Sequence, residues 1–160
     1  MTRTLVAGVG NIFFGDDGFG CAVARRLAEQ PPDGATVVDF GIRGVHLAYE
    51  LTGGRWDAAI IVDAVARGGR AGTLYVLDPT LAAGDAPVGD AHGVDLGAVF
   101  ALTRTLGAPP ARVVVVGCEA GALGEGIGLS DPIAGAVEPA IALVHKLLVD
   151  GTVAVAGGRQ

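Results

Sequence analysis

Residues 4–20, TLVAGVGNIFFGDDGFG, constrain the fold more than any other stretch: an apolar run ends in closely spaced glycines and passes straight toward a helix. A strand that feeds a helix through a tight turn buries both only if the helix lies back across a sheet. The rest of the chain repeats that rhythm. ATVVDF at 35–40, AAIIVDAV at 58–65 and RVVVVGC at 112–118 are apolar almost throughout, as strands covered on both faces are. Between them, 17–30 places Phe19, Val23, Ala24 and Leu27 on one helical face until PPDG stops it, and 43–52 reads as a short helix with Val45, Leu47, Ala48 and Leu51. Residues 93–106 read as a third helix. The run SDPIAGAVEPAIALVHKLLVD offers Ser130 as an N-cap and Pro132 in its first turn, while Pro139 bends the helix or marks its true start. The connection ARGGRAG is too short for a crossover helix, so TLYVLD runs antiparallel. The expected architecture is an α/β fold, a mostly parallel sheet with helices on both faces.

At 160 residues, 51% hydrophobic and 18% charged, the chain is expected to form one domain over 1–150 with 151–160 as a tail. A net charge of −6 without any Lys/Arg run argues against a nucleic-acid surface and against an anionic-membrane anchor. Uninterrupted apolar runs such as VVVV at 113–116 are too short to span a bilayer, and the first strand begins without a charged-then-apolar leader. Cys21 and Cys118 make no disulfide framework. A cytoplasmic, monomeric protein is the expectation.

In such sheets ligands bind beyond the carboxyl ends of strands, where strand order reverses. Asp16 and Asp17 follow the first strand, Asp39 ends the second, Asp63 lies near the end of the third, and Cys118 and Glu119 end the strand at 112–118. Acids gathered on one sheet edge repel, and persist only if hydrogen-bonded, protonated or neutralised by a cation. A dinucleotide reading takes Gly8-Val9-Gly10 as the phosphate turn and Asp39 as the ribose acid. The third glycine is displaced to Gly15, however, and two carboxylates would face the pyrophosphate at the helix start. A metal reading takes Asp17, Asp63 and His92 as two hard oxygen donors and one imidazole with positions left open. Singly, each has an ordinary reading as well: a helix-start acid, a strand-end acid, a loop histidine.

GVGNIFFGDDGFG, IIVDAV at 60–65 and DAHGVDL at 90–96 together resemble the nickel-iron hydrogenase maturation endopeptidases, and GIGLSDPIAGAVEPAI is similar to that family's closing segment. The resemblance runs over roughly residues 4–149. It implies a three-layer α/β/α sandwich around a five-stranded sheet with one antiparallel strand. It also implies removal of a C-terminal extension from a hydrogenase large-subunit precursor after nickel insertion. Nickel carried by the substrate would be contacted by Asp17, Asp63 and His92, the residues that would also carry catalysis. Gly8, Gly10 and Asn11 would form the turn that delivers Asp17. Asp39 and Gly41 fall on a substrate-recognition segment, where Ile42 replaces the threonine common in the family.

Two cleavage chemistries are open at this stage. A carboxylate, Asp17 or Asp63, positions water while the metal polarises the carbonyl. Alternatively Cys118 attacks with His92 as base, against the simpler reading of a core thiol. Other readings of the whole are a dinucleotide-binding oxidoreductase and a nickel-binding chaperone that holds the precursor without cutting. His46 and His145 read as surface residues, Trp56 as core or rim packing, and Asp16 and Asp90 as groups that orient the turn or support the ligands from behind. Glu119 has no ligand argument.

Overall fold

A computed structural model describes residues 2–79 and 94–150. Five strands form one sheet: β1 (Thr4–Val9), β2 (Ala35–Gly41), β3 (Ala58–Val65), β4 (Leu74–Leu77) and β5 (Arg112–Glu119). Their order is β2-β1-β3-β5-β4, and only the β4–β5 pair is antiparallel. The short 66–72 connection therefore does what its length demands: β4 doubles back as an edge strand against β5 rather than crossing over.

Helices α1 (Phe19–Glu29), α2 (Gly44–Thr52), α3 (Leu96–Leu106), α4 (Asp131–Ala134) and α5 (Val137–Asp150) cover both faces. Strand alternation sorts the core into two halves. Val6, Ala58, Ile60, Val62, Val116 and Cys118 point to the side of α1 and α5. Leu5, Ala7, Val9, Ala59, Ile61 and Val115 point to that of α2 and α3. The three-layer α/β/α sandwich is thus present, with side chains of one strand serving alternate layers.

The helices differ from the sequence pattern in detail. Residues 15–18 form a separate 3₁₀ turn that Gly15 opens at a φ of 57°, and Gly18, with a ψ of 2°, divides it from α1. Phe19, Val23, Ala24 and Leu27 are buried as expected. In α2, Leu47, Ala48 and Leu51 are buried but Val45 is 56% exposed, so it lies off the core stripe. α3 starts at Leu96, with the Asp95 carboxylate accepting from the Ala98 amide as its cap. The closing segment divides at Gly135–Ala136, and Pro139 sits in the first turn of α5, where its missing N–H costs nothing. Ser130 holds the N-cap position of α4 but makes no cap bond with its side chain.

Taken as one stretch, Asp131–Asp150 has 20 residues of mean hydropathy 1.4, long and apolar enough by length and composition to cross a bilayer. Single apolar runs understated it. Here Ile133, Val137, Ala140, Val144 and Leu147 spend that apolarity on the core beside α1.

Candidate active site

Glycine makes the β1–α1 approach possible. An added Cβ at Gly20 would lie 2.1 Å from the Val62 carbonyl oxygen and 2.4 Å from that of Val9. One at Gly8 would lie 2.3 Å from the Gly20 oxygen. These glycines let α1 begin directly on the carboxyl ends of β1 and β3. That is also where strand order reverses, since β2 lies to one side of β1 and β3 to the other.

The turn between β1 and α1 is closed by Asp17 itself. Its Oδ2 accepts the Asn11 backbone N–H at 2.7 Å, and Asn11 in turn accepts on its own side chain from the Phe13 N–H at 2.9 Å. Gly10, with a φ of 142°, allows this closure because any Cβ there would meet the Asp17 carbonyl oxygen. Gly10 and Asn11 thus lie in the turn, while Gly8 belongs to β1 and lets α1 approach it closely. The Asn11 amide that a phosphate would need is already occupied by a carboxylate, which removes the physical basis of the dinucleotide reading.

Asp63 arrives from β3, buried to 6% exposure. Burial first, and the negative charge of Asp17 second, push its carboxyl well above the usual carboxylate range, against a lowering bond from the Ala64 amide. The two predicted acids thus feel one another at the switch point. His92, the third predicted ligand, and Asp90 lie outside the described residues. Among the described residues no three His, Cys, Asp or Glu side chains form a group able to hold a metal.

Asp39 solves its charge problem differently. Its carboxylate accepts from Arg25 Nε and from the Gly41 amide, both at 3.0 Å. The Gly41 carbonyl, in a residue with φ of 58°, then accepts the Gly10 N–H at 3.0 Å. β1 and β2 slip register there, Gly8 facing Asp39 and Val9 facing Gly41, so Phe40 is the extra residue. Asp39 and Gly41 are thereby bonded into the turn that carries Asp17, and Ile42 beside them is 64% exposed. The buried Cys21 donates to the Gly10 carbonyl at 3.4 Å. Burial, and after it the neighbouring Asp39, push its thiol up to about 12. The strand-end acids therefore adopt separate remedies: hydrogen bonds for Asp17, an ion pair for Asp39 and a raised pKa for Asp63.

Two further carboxylates have structural partners: Asp16, which the sequence offered as an orienting group, and Glu119, for which it offered no role. Asp16 is fully buried and accepts from the Gly121, Ala122 and Ser130 amides and from the Ser130 hydroxyl. Burial works to raise its pKa, but these donors outweigh it and hold the group below its usual value. Glu119 accepts from the Arg67, Gly68 and Gly69 amides and from the Tyr75 hydroxyl at 2.7 Å, and is likewise held low against burial.

Cys118 is a core thiol on the α1/α5 side, fully buried, and burial first raises it to about 11. That environment opposes thiolate formation and with it the nucleophile reading. His46 and His145 are exposed. Trp56 is half-buried at the rim of the α2/α3 core and donates from Nε1 to Glu50 at 2.7 Å.

The chain is similar to known proteins along most of its length. The family model HycI, hydrogenase maturation protease, matches residues 21–147. The delta subunit of coenzyme F420 hydrogenase from Methanothermobacter thermautotrophicus is 33% identical over 148 residues, covering 88% of this chain and 90% of that protein. The hydrogenase 2 maturation protease of Escherichia coli is 30% identical over 150 residues, covering 91% and 90%. The solved hydrogenase maturating endopeptidase HybD of Escherichia coli superposes with a TM-score of 0.78 at 28% identity, over 93% of this chain and 94% of that one. An α/β/α sandwich with an acid-bearing glycine turn at its switch point, matched along nearly its whole length by these proteins, places this chain in the hydrogenase maturation protease family, as a peptidase.

Proposed function

We propose that this peptidase removes a C-terminal extension from the large-subunit precursor of a nickel-iron hydrogenase once nickel has been inserted. Nickel belongs to the substrate in this reading. The observation that carries it is Asp63, buried at the switch point where its charge is disfavoured by burial and by the negative charge of Asp17. A buried carboxylate whose charge is disfavoured by burial and by a second acid becomes comfortable as an anion only when a cation arrives. A precursor that brings its own metal supplies that cation, and an empty precursor does not. The acids thus read whether the substrate is mature. His92 completes the donor set by resemblance, as an imidazole suited to nickel.

Asp17, oriented by the Asn11 amide, is the better placed carboxylate to hold an attacking water, while the substrate's metal polarises the carbonyl to be cleaved. Asp39 and Gly41, tied to that turn, are the proposed recognition segment. The protein is further proposed to act as a cytoplasmic monomer.

Intact mass spectrometry of nickel-loaded and nickel-free precursor incubated with the enzyme tests the proposal. Loss of a defined C-terminal peptide from the loaded form alone is expected. An unchanged mass in a precursor shown to hold nickel overturns it. Asp17→Asn and His92→Ala are each expected to abolish the loss of mass, and near-normal cleavage by either removes that residue from its role.

A further inference from the structure

We infer that Asp16 is a positioning residue for Asp17, acting by fastening the turn 10–18 to the segment 120–130. The geometry has two ends. At one, Asp17 Oδ2 holds the Asn11 amide at 2.7 Å, the Phe14 amide donates to the Asn11 carbonyl and the Asp17 amide to the Phe14 carbonyl, each at 3.1 Å. These bonds close the turn on itself, and at its start Gly10 ties it to β2 through the Gly41 carbonyl and to α1 through Cys21. At the other end, Asp16 Oδ1 accepts the Ser130 amide at 2.7 Å, and Oδ2 accepts the Gly121 amide at 3.0 Å, the Ala122 amide and the Ser130 hydroxyl at 2.8 Å. The backbone repeats the attachment: the Asp16 amide donates to the Ala122 carbonyl at 3.0 Å, Gly15 to the Gly126 carbonyl at 2.9 Å, and Gly126 to the Phe13 carbonyl at 2.8 Å.

Asp16 is fully buried while its neighbour Asp17 is half-exposed. Adjacent acids in a 3₁₀ turn point in different directions, so one can be spent on the wall and the other left for the site. A buried carboxylate held by three amides and a hydroxyl is rigid, and rigidity there is inherited one residue away by the group that must meet the substrate's metal. Ser130 explains the arrangement from the other side. It occupies the N-cap position of α4 yet gives its hydroxyl to Asp16 rather than to the helix. Its side chain thus serves the turn 114 residues away in sequence.

The catalytic part of this inference rests on the proposed function; the geometric part does not. The test compares Asp16→Asn, Ser130→Ala and Ser130→Thr by two readouts. The first is the amide resonance of Asn11 in the ¹H–¹⁵N spectrum, which reports the bond to Asp17 Oδ2. The second is cleavage of nickel-loaded precursor, separated into kcat and KM. Glu119→Gln, which loosens the 67–69 turn instead, is the comparison for general destabilisation. In Asp16→Asn the Asn11 amide is expected to move upfield, and kcat to fall at least tenfold with KM within threefold. Ser130→Ala is expected to show a smaller change of the same sign, and Ser130→Thr, which keeps the hydroxyl, to restore it. Glu119→Gln is expected to leave the Asn11 amide in place.

An Asn11 amide unmoved in Asp16→Asn, with only the Gly121 and Ala122 amides displaced, overturns the inference and makes Asp16 an anchor of the wall alone. If Asp16→Asn does not fold, the Ser130 pair decides by the same amide. If the wild-type enzyme cuts no loaded precursor, the proposed function falls, and the Asn11 resonance still decides whether Asp16 sets Asp17.

Discussion

At the scale of single residues, Asp63 trades stability for function. Its folded pKa is raised, so its contribution to stability is complete only below the unfolded carboxylate range and is lost as pH climbs through the folded value. Asp63→Asn does not titrate, and is expected to be more stable than wild type at pH 8 by about 1–2 kcal/mol, the gap narrowing as pH falls. Thermal melts at several pH values check both sign and trend, while cleavage by the variant is expected to be lost. Cys118→Ser is expected to cut at near wild-type rate while losing about 1–2 kcal/mol of stability, because a hydroxyl replaces a buried thiol in an apolar layer. Asp16 and Asp17 show where sequence reading stops. Both are acids at a helix start; the motif resemblance singles out Asp17, but propensity and charge do not separate the two. What separates them is Gly121, Ala122 and Ser130, brought close only by the completed fold. Asp63 was easier, since a carboxylate in an otherwise apolar strand announces itself.

At the scale of elements, the β1–turn–α1 unit is set by close approach rather than by propensity. A methyl group at Gly20 meets the backbone oxygens of Val62 and Val9, which cannot rotate away as a side chain would. Gly20→Ala is therefore expected to cost about 3 kcal/mol, at the upper end of overpacking penalties, and to lower Tm by roughly 5–10 °C. A melt within 2 °C of wild type contradicts this. Strand identity and the antiparallel β4 were legible because apolar runs and connection length are local properties. Helix limits were less so. The break at Gly135–Ala136 and the start of α3 at Leu96 depend on caps and packing that periodicity does not encode.

For the whole molecule, acid is the natural stress. Asp16 and Glu119 have lowered folded pKa values, so what they contribute is present at neutral pH and disappears as pH falls through those values. Each pins a loop, Asp16 the 121–130 wall and Glu119 the 67–69 turn. The fall of Tm between pH 7 and pH 3.5 is expected to be shallower in Asp16→Asn and in Glu119→Gln than in wild type, both starting from a lower Tm at pH 7. Equal slopes in all three proteins refute that assignment. Asp63 works in the opposite direction over the same range, so the wild-type decline is the difference between two opposing effects.

The strand order β2-β1-β3-β5-β4 has a consequence for the newborn chain on the ribosome. The first strand made is an inner one that gains β2 early but must wait for β3 on its other side, and β3 waits for β5, more than two thirds of the way along the sequence. The partners of Asp16 come later still, at 121–130. Until those residues have emerged, the two site acids have no fixed relation to each other. A protease assembled this way has no cutting edge to present while it is being synthesised; the last third of the chain is what arms the first.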